Sequence, residues 1–265
     1  MLQSEGAAMS RIIGIDIALW QGAVDFPSLP KAGIQFVIIK ATNGSRSVDP
    51  RFKQNWAASK GLLPRGAYLW FTDDDPVQQA DFAVKTLSDA GDIGDISLTV
   101  DFEEPKTAYR GTALLDRLRT CLARIETVTG RAPILYTGSW YWQGYAHDLD
   151  APDIVDKYPL WLAQYPRATL RDRRACGTSP PELPEPNCPK PWKDRRLKPF
   201  LWQFDGDGGC QLPNGVDADF NEFLGGDFDA FCGRTQGPPP TGISSEELQM
   251  SLPEELICRA DGSNA

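Results

Sequence analysis

Ser97-Leu98-Thr99-Val100-Asp101-Phe102-Glu103-Glu104-Pro105 is the stretch on which the fold turns. A β-forming run there delivers two carboxylates at positions i and i+2. Alternate side chains of a strand share a face, so Asp101 and Glu103 should project together, with Cβ atoms roughly 7 Å apart. Burial of an apolar strand and repulsion between neighbouring acids both raise carboxyl pKa values, and unequally. One acid that keeps its proton beside one that loses it is what cleavage of a glycosidic bond requires. A plainer reading also stands: the strand ends at Val100 and three acids sit in solvent at its edge.

Working outward, two more acids accompany short apolar runs. Asp16 ends Ile12-Ile13-Gly14-Ile15-Asp16-Ile17 and precedes Trp20-Gln21-Gly22. Asp219 lies in Asp217-Ala218-Asp219-Phe220-Asn221-Glu222-Phe223, after Phe200-Leu201-Trp202-Gln203-Phe204. Acids at the C-terminal ends of several strands are the pattern of a β/α barrel, whose site is assembled at that face. The β-runs fall at 12–17, 36–40, 66–71, 96–102, 134–137, 160–164 and 201–204, with a weak eighth near Val216. Helical patterns separate the early ones. Asp75-Pro76 sets an N-cap acid before a first-turn proline, and Val77, Ala80, Val84 and Leu87 follow at helical spacing until Gly91. A longer helix is expected from about Ala108 to Thr129, with Leu114, Leu118, Cys121, Leu122, Ile125 and Val128 on one face and Gly130 as its stop. This alternation predicts a parallel α/β barrel. Beyond Tyr145 proline is frequent and regular helices have little room.

Composition narrows the function classes. The 265 residues suffice for one barrel core, and the formal charge of −9 disfavours a nucleic-acid partner. No apolar run approaches the ~18–20 residues of a membrane span, and Met1 to Arg11 lacks the basic and apolar regions of a secretory signal. Six cysteines are too sparse for a disulfide scaffold. Cys176 and Cys188 bracket a proline-rich loop that they could staple, Cys210 could reach Cys232, and Cys121 reads as a buried free thiol. With His147 the only histidine and no Cys-x-x-Cys pair, neither a zinc site nor Ser-His-Asp chemistry is expected; His147 reads as a surface residue.

The ordered set of motifs resembles the glycoside hydrolase family 25 lysozymes, the Chalaropsis type common among phage endolysins. It comprises Gly14-Ile15-Asp16 with Trp20-Gln21-Gly22, Gly33 through Thr42, Asp49-Pro50-Arg51-Phe52 with Asn55-Trp56, and Arg65-Gly66-Ala67-Tyr68. Asp101-Phe102-Glu103, Pro133 through Thr137, Leu160 through Tyr165 and Leu201 through Phe204 complete it. The resemblance runs from about residue 12 to about residue 223. It implies an irregular TIM-like barrel, about five β/α units followed by three strands with loop connections. It also implies an N-acetylmuramidase that hydrolyses the β-1,4 bond between N-acetylmuramic acid and N-acetylglucosamine in peptidoglycan, with no cofactor or metal. Matched by position, Glu103 corresponds to the proton donor, Asp101 to its strand neighbour, and Asp16 and Asp219 to the other acids. Asp217, which follows Val216, competes with Asp219; Asn221 and Phe223 favour Asp219. Attack by a second carboxylate and by the substrate's own acetamido group stay equally open.

A glycan groove needs aromatic faces for sugar C–H surfaces, which nominates Trp20, Tyr68, Trp70, Tyr136 and Trp161, with Gln203 as a polar contact. Trp140 and Trp202 also lie near strand ends, whereas Trp56 reads as core. Leu69 departs from the resemblance, since many relatives carry histidine there, and bears on the subsites. The expected organisation is an N-terminal extension at 1–11 and a catalytic barrel at 12–235, with a long Pro/Arg-rich insertion at 166–199. A linker and short tail at 236–265 follow. The insertion is either a lid reaching acidic peptide stems or a surface excursion pinned by a disulfide. A monomer is expected, made in a host cytoplasm without a signal peptide and acting on the wall after release. A silent glycan-binding module and a chitinase-like hydrolase are the rival functions.

Overall fold

A computed structural model describes residues 11–165, 185–206, 211–212 and 214–234. Eight strands close into a barrel in the order β1 (Ile12–Ile17), β2 (Ile34–Asn43), β4 (Arg65–Trp70), β5 (Thr99–Asp101), β6 (Ile134–Gly138), β7 (Leu160–Ala163), β8 (Leu201–Asp205) and β9 (Asp219–Phe223). β9 pairs back onto β1, and β1 pairs in parallel with β2. A ninth strand, β3 (Ser47–Val48), hangs on β2 outside the ring. Seven barrel strands are parallel, and β9 runs antiparallel to both neighbours. The expected eighth strand therefore exists, but three residues later than Val216 and reversed. Its first residue, not its last, reaches the mouth of the barrel.

Helices α1 (Phe52–Ser59), α2 (Pro76–Asp89), α3 (Gly111–Thr129) and α4 (Ser139–Tyr145) lie between the early strands. α2 begins as expected, the Asp75 carboxylate accepting from the amides of Val77 and Gln78 at 2.9 Å. α3 starts later than Ala108 because the Asp73 carboxylate takes the Ala108 amide and the Thr107 hydroxyl, holding that segment outside the helix. The β1–β2 connection uses short 3₁₀ turns instead of an α-helix, with Pro27 and Pro30 opening two of them.

Period-two alternation divides each strand between two cores. Ile13, Ile15, Ile17, Val37, Ile39, Leu69 and Leu162 face outward under the helices, while Phe36, Ile38, Ile134, Trp161, Leu201 and Phe223 fill the barrel. Leu69 is thus turned away from any subsite, so its departure from the family pattern concerns packing. Gly14 faces inward, where a Cβ would collide with the Phe36 ring. The bottom of the barrel is stoppered by Phe228 and Phe231, whose rings sit 5.0 to 6.0 Å from Phe36 and Phe223. The open end is therefore the C-terminal face of the parallel strands.

Trp56 is core, its ring tilted against Phe52 at 5.3 Å with the Arg65 guanidinium over its face. Cys121 is a buried free thiol, pushed well up by burial, and His147 is exposed. Cys188 and Cys232 are also free thiols; Cys176 and Cys210, and with them both suggested staples, lie outside the described residues. Of the insertion at 166–199, residues 166–184 lie outside them too. Its C-terminal part packs on the barrel, with the Trp192 ring buried edge-on against Trp142 at 4.7 Å. The expected extension (save Arg11) and the tail from residue 235 fall outside as well. Among the described residues no helix is long and apolar enough to cross a membrane.

Candidate active site

All ten residues nominated from sequence line one cavity of about 380 Å³ at the open mouth: Asp16, Trp20, Tyr68, Trp70, Asp101, Glu103, Tyr136, Trp161, Gln203 and Asp219. Asp101 is the last residue of β5, and Glu103 follows two residues on. Phe102 between them points the other way, buried against Phe71 and Tyr141. Its amide still bonds the Tyr136 carbonyl at 2.9 Å, which carries extended pairing one step past the strand and keeps both acids on the cavity side. Asp16 and Asp219 are register partners on β1 and β9, so the reversed strand brings Asp219 to the same rim. Asp217 is exposed, bonded to Gln211 at 2.8 Å, and is not among the lining residues.

Burial dominates the electrostatics. It pushes Asp16 up to about 6, against the opposing hydrogen bonds from Asn221 and Gln203. It pushes Glu103 up to about 7, aided by the Asp16 charge and opposed by Lys40. Asp101 is also raised well above the usual carboxylate range, by burial first and then by Glu103, and its Oδ1 is buried with no hydrogen-bond partner among the described residues. Repulsion within the Asp101–Glu103 pair adds to burial, and the Asp16 charge also acts on Glu103. Tyr68 is pushed well up by burial and by the charges of Asp16, Asp101, Asp219 and Asp49, which keeps its phenol a donor.

The aromatic residues divide by exposure. Trp20, 81% exposed, stands on a 3₁₀ turn pinned where the Gln21 side chain accepts the Ala18 amide and Asp49 accepts the Leu19 amide. Trp70 donates its indole N–H to Glu104 at 2.9 Å, leaving that acid engaged beside the cavity. Trp161 packs edge-on against Tyr136 at 4.8 Å. Trp202 is the exception: it faces outward, buried, and donates to the Gln164 carbonyl. It lines a larger cavity of about 610 Å³ outside β8 and β9, whose Glu222 is already paired with Arg11. The smaller cavity, faced by four acids, is the candidate site.

Trp140, placed near a strand end from sequence, lines the cavity too; sequence reasoning missed Lys40 and Tyr165 as lining residues, and Asn221 behind them. Lys40 is the cation among the described lining residues, its Nζ 4.6 Å from the centre of the Trp70 ring. Strand alternation would have found two of these. Lys40 shares a face with Phe36 and Ile38, and Tyr165 shares one with Trp161 and Ala163. No group of three or more His, Cys, Asp and Glu among the described residues is arranged to hold a metal ion.

Comparison with known proteins agrees with this architecture. Lysozyme M1 of Streptomyces globisporus is 28% identical over 229 residues, covering 83% of this chain and 70% of that protein. The uncharacterized protein YegX of Escherichia coli K12 is 32% identical over 163 residues, covering 58% of this chain. The match spans 56% of the length of that relative. Among solved structures, the muramidase from Trichobolus zukalii superposes with a TM-score of 0.63 at 23% identity, covering 86% of this chain and all of the other, a likeness of fold. The sequence profile of glycosyl hydrolases family 25 matches residues 15–180, more than half of the chain. Barrel, acid-lined mouth and profile agree: this chain belongs to glycosyl hydrolases family 25.

Proposed function

We propose that this chain is a peptidoglycan hydrolase, a lysozyme cleaving the β-1,4 bond between N-acetylmuramic acid and N-acetylglucosamine. The observation that carries this is the split among the acids of one cavity: Glu103, pushed up to about 7, faces Asp16, whose carboxylate accepts two amide N–H groups. Glu103 protonates the bridging oxygen of the leaving sugar. Asp16, ionised above about pH 6, and Asp219 stabilise the positive charge that develops on the sugar ring. Asp101, holding its proton deep in the cavity, presents a hydrogen bond to the substrate. Trp20 and Trp140, 81% and 52% exposed, offer stacking faces for flanking sugars. The names of two relatives, Lysozyme M1 and the N,O-diacetylmuramidase of a Chalaropsis species, support the same reaction.

The proposed catalytic unit is 12–235, a reading supported by every lining residue and the aromatic stopper preceding Arg234. The protein acts as a monomer on bacterial cell walls, in the manner of a phage endolysin released from the cytoplasm of its host. Mass spectrometry of digested peptidoglycan tests the reaction. Fragments carrying N-acetylmuramic acid at the new reducing end are expected. Ends at N-acetylglucosamine would reassign the bond, cleavage of chitin oligomers alone would make the protein a chitinase, and no new ends would leave a glycan-binding module.

The choice between the two late acids is separately testable. Asp219→Asn should reduce turnover at least tenfold with little change in thermal stability, because the acid lines the cavity. Asp217→Asn should be nearly silent, since its carboxylate is exposed and bonds only to Gln211 in the described surroundings. A dead Asp217 variant beside an active Asp219 variant would reverse the assignment.

A further inference from the structure

Two buried amides converge on one carboxylate oxygen. Gln203 Nε2 and Asn221 Nδ2 each donate to Asp16 Oδ2 at 2.8 Å. They come from neighbouring strands, β8 and β9, where they are register partners. Neither amide can turn over without loss. An indole N–H only donates, so the Asn221 atom 2.7 Å from Trp161 Nε1 is its carbonyl oxygen, and the amino group is left facing Asp16. The Gln203 oxygen accepts from the hydroxyls of Tyr136 at 2.7 Å and Tyr165 at 2.6 Å; because a hydroxyl can also accept, it is the acceptor-only Asp16 carboxylate that keeps the Gln203 amino group turned toward it. Tyr165 is itself seated by Gly206, where a Cβ would collide with the phenol.

An amide N–H aimed at a carboxyl oxygen favours its ionised form, because the carboxylate accepts without giving up a proton. Burial acts in the opposite sense, and the balance leaves Asp16 at about 6. The other ionisable groups facing this region are Asp101 and Glu103 at the end of β5, Asp219 on β9 and Lys40 on β2. The phenols of Tyr68, Tyr136 and Tyr165 complete the set. Among these, Asp16 is the charge that holds Glu103 up.

We propose that Asn221, fixed in one orientation by Trp161, and Gln203, seated by Tyr136 and Tyr165, are positioning residues that hold Asp16 as a stationary anion, whose charge in turn keeps the proton on Glu103. The proposal rests on Glu103 being the acid of the proposed reaction. It makes the two ends of the pH profile depend on groups that never touch the scissile bond.

Carboxyl ¹³C NMR titration of the substrate-free protein tests it without relying on activity. In Asn221→Leu, and to a smaller extent in Trp161→Phe, Asp16 should titrate roughly half a unit or more higher and Glu103 lower. With peptidoglycan the acid limb should move up and the alkaline limb down. kcat should fall roughly 10- to 100-fold, and KM should change little in Asn221→Leu. In an Asp16→Asn background Asn221→Leu should add no further shift of Glu103. Trp161→Phe removes the indole N–H while keeping an aromatic ring at the site, and keeps the test decisive if Asn221→Leu does not fold. Unmoved titrations in a folded variant, or an equal Glu103 shift without Asp16, would overturn the proposal. Should the wild type release no sugar ends while the titrations move as expected, the hydrolase reading fails and the positioning network stands.

Discussion

Glu103→Gln should lower kcat on peptidoglycan by about 10²- to 10⁴-fold, the usual contribution of a positioned general acid, with KM close to wild type. Glutamine preserves size and can still hydrogen-bond the bridging oxygen, but it has no proton to deliver. Burial and the Asp16 charge push the carboxyl up to about 7, so near neutrality a large fraction of molecules carries the proton. As pH rises past about 7 that proton is lost, and wild-type kcat/KM should decline. The same limb should be missing from residual activity of the variant. Stability follows the same direction with pH. A carboxyl raised in the folded state favours folding below its unfolded pKa, and that contribution is lost as pH rises through about 7. Glutamine escapes this loss, so the variant should melt no earlier than wild type at pH 8. Near wild-type turnover would remove Glu103 from the mechanism and point to Glu104, although Glu104 is engaged by Trp70 and the Lys106 amide.

The sites legible in sequence were those carried by short-range periodicity. Asp101-Phe102-Glu103 reads as acid, core, acid, and Phe102 is fully buried while the acids flank the cavity. Asp75-Pro76 and Gly130 mark helix ends that hydrogen bonding and a left-handed φ of 67° explain. What escaped is information that exists only after the ring closes. Asn221 reaches Asp16 across 205 positions of sequence, and no local pattern announces that pairing. The direction of β9 was equally hidden: alternation in Asp219-Phe220-Asn221-Glu222-Phe223 is the same read forwards or backwards, and only its antiparallel partners β1 and β8 orient it. Trp202 shows the converse error. Proximity to a strand end suggested the groove, but parity decides: Gln203 faces in, so Trp202 and Phe204 face out. Lys40 was visible by the same parity and passed over because a single lysine among acids does not stand out in composition.

Asp16→Asn should also lower kcat by about 10²- to 10³-fold, through loss of a preorganised charge. Its pH signature differs from that of Glu103→Gln. Asp16 ionises at about 6 and Glu103 at about 7, so the productive state, one charged and the other protonated, is most populated between those values. The wild-type profile is therefore bell-shaped and narrow, its two apparent values belonging to the interacting acids together. Asparagine abolishes the acid limb. It also removes the negative charge that holds Glu103 up, so the surviving alkaline limb should move to lower pH. The fold should tolerate the change well, because the asparagine oxygen can accept from Gln203 and Asn221 in place of Oδ2. The carboxyl is raised from 3.8 to about 6, so its stabilising contribution is complete below about pH 4 and is lost as pH rises through about 6. Above that window the ionised, buried group costs the wild type up to about 3 kcal/mol, and the variant is relieved of it. A denaturation midpoint raised at pH 8 but unchanged near pH 3.5, together with lost activity, is the expected pair of results. A variant destabilised at pH 8 would show that Asp16 serves the fold, and an unmoved alkaline limb would detach its charge from Glu103.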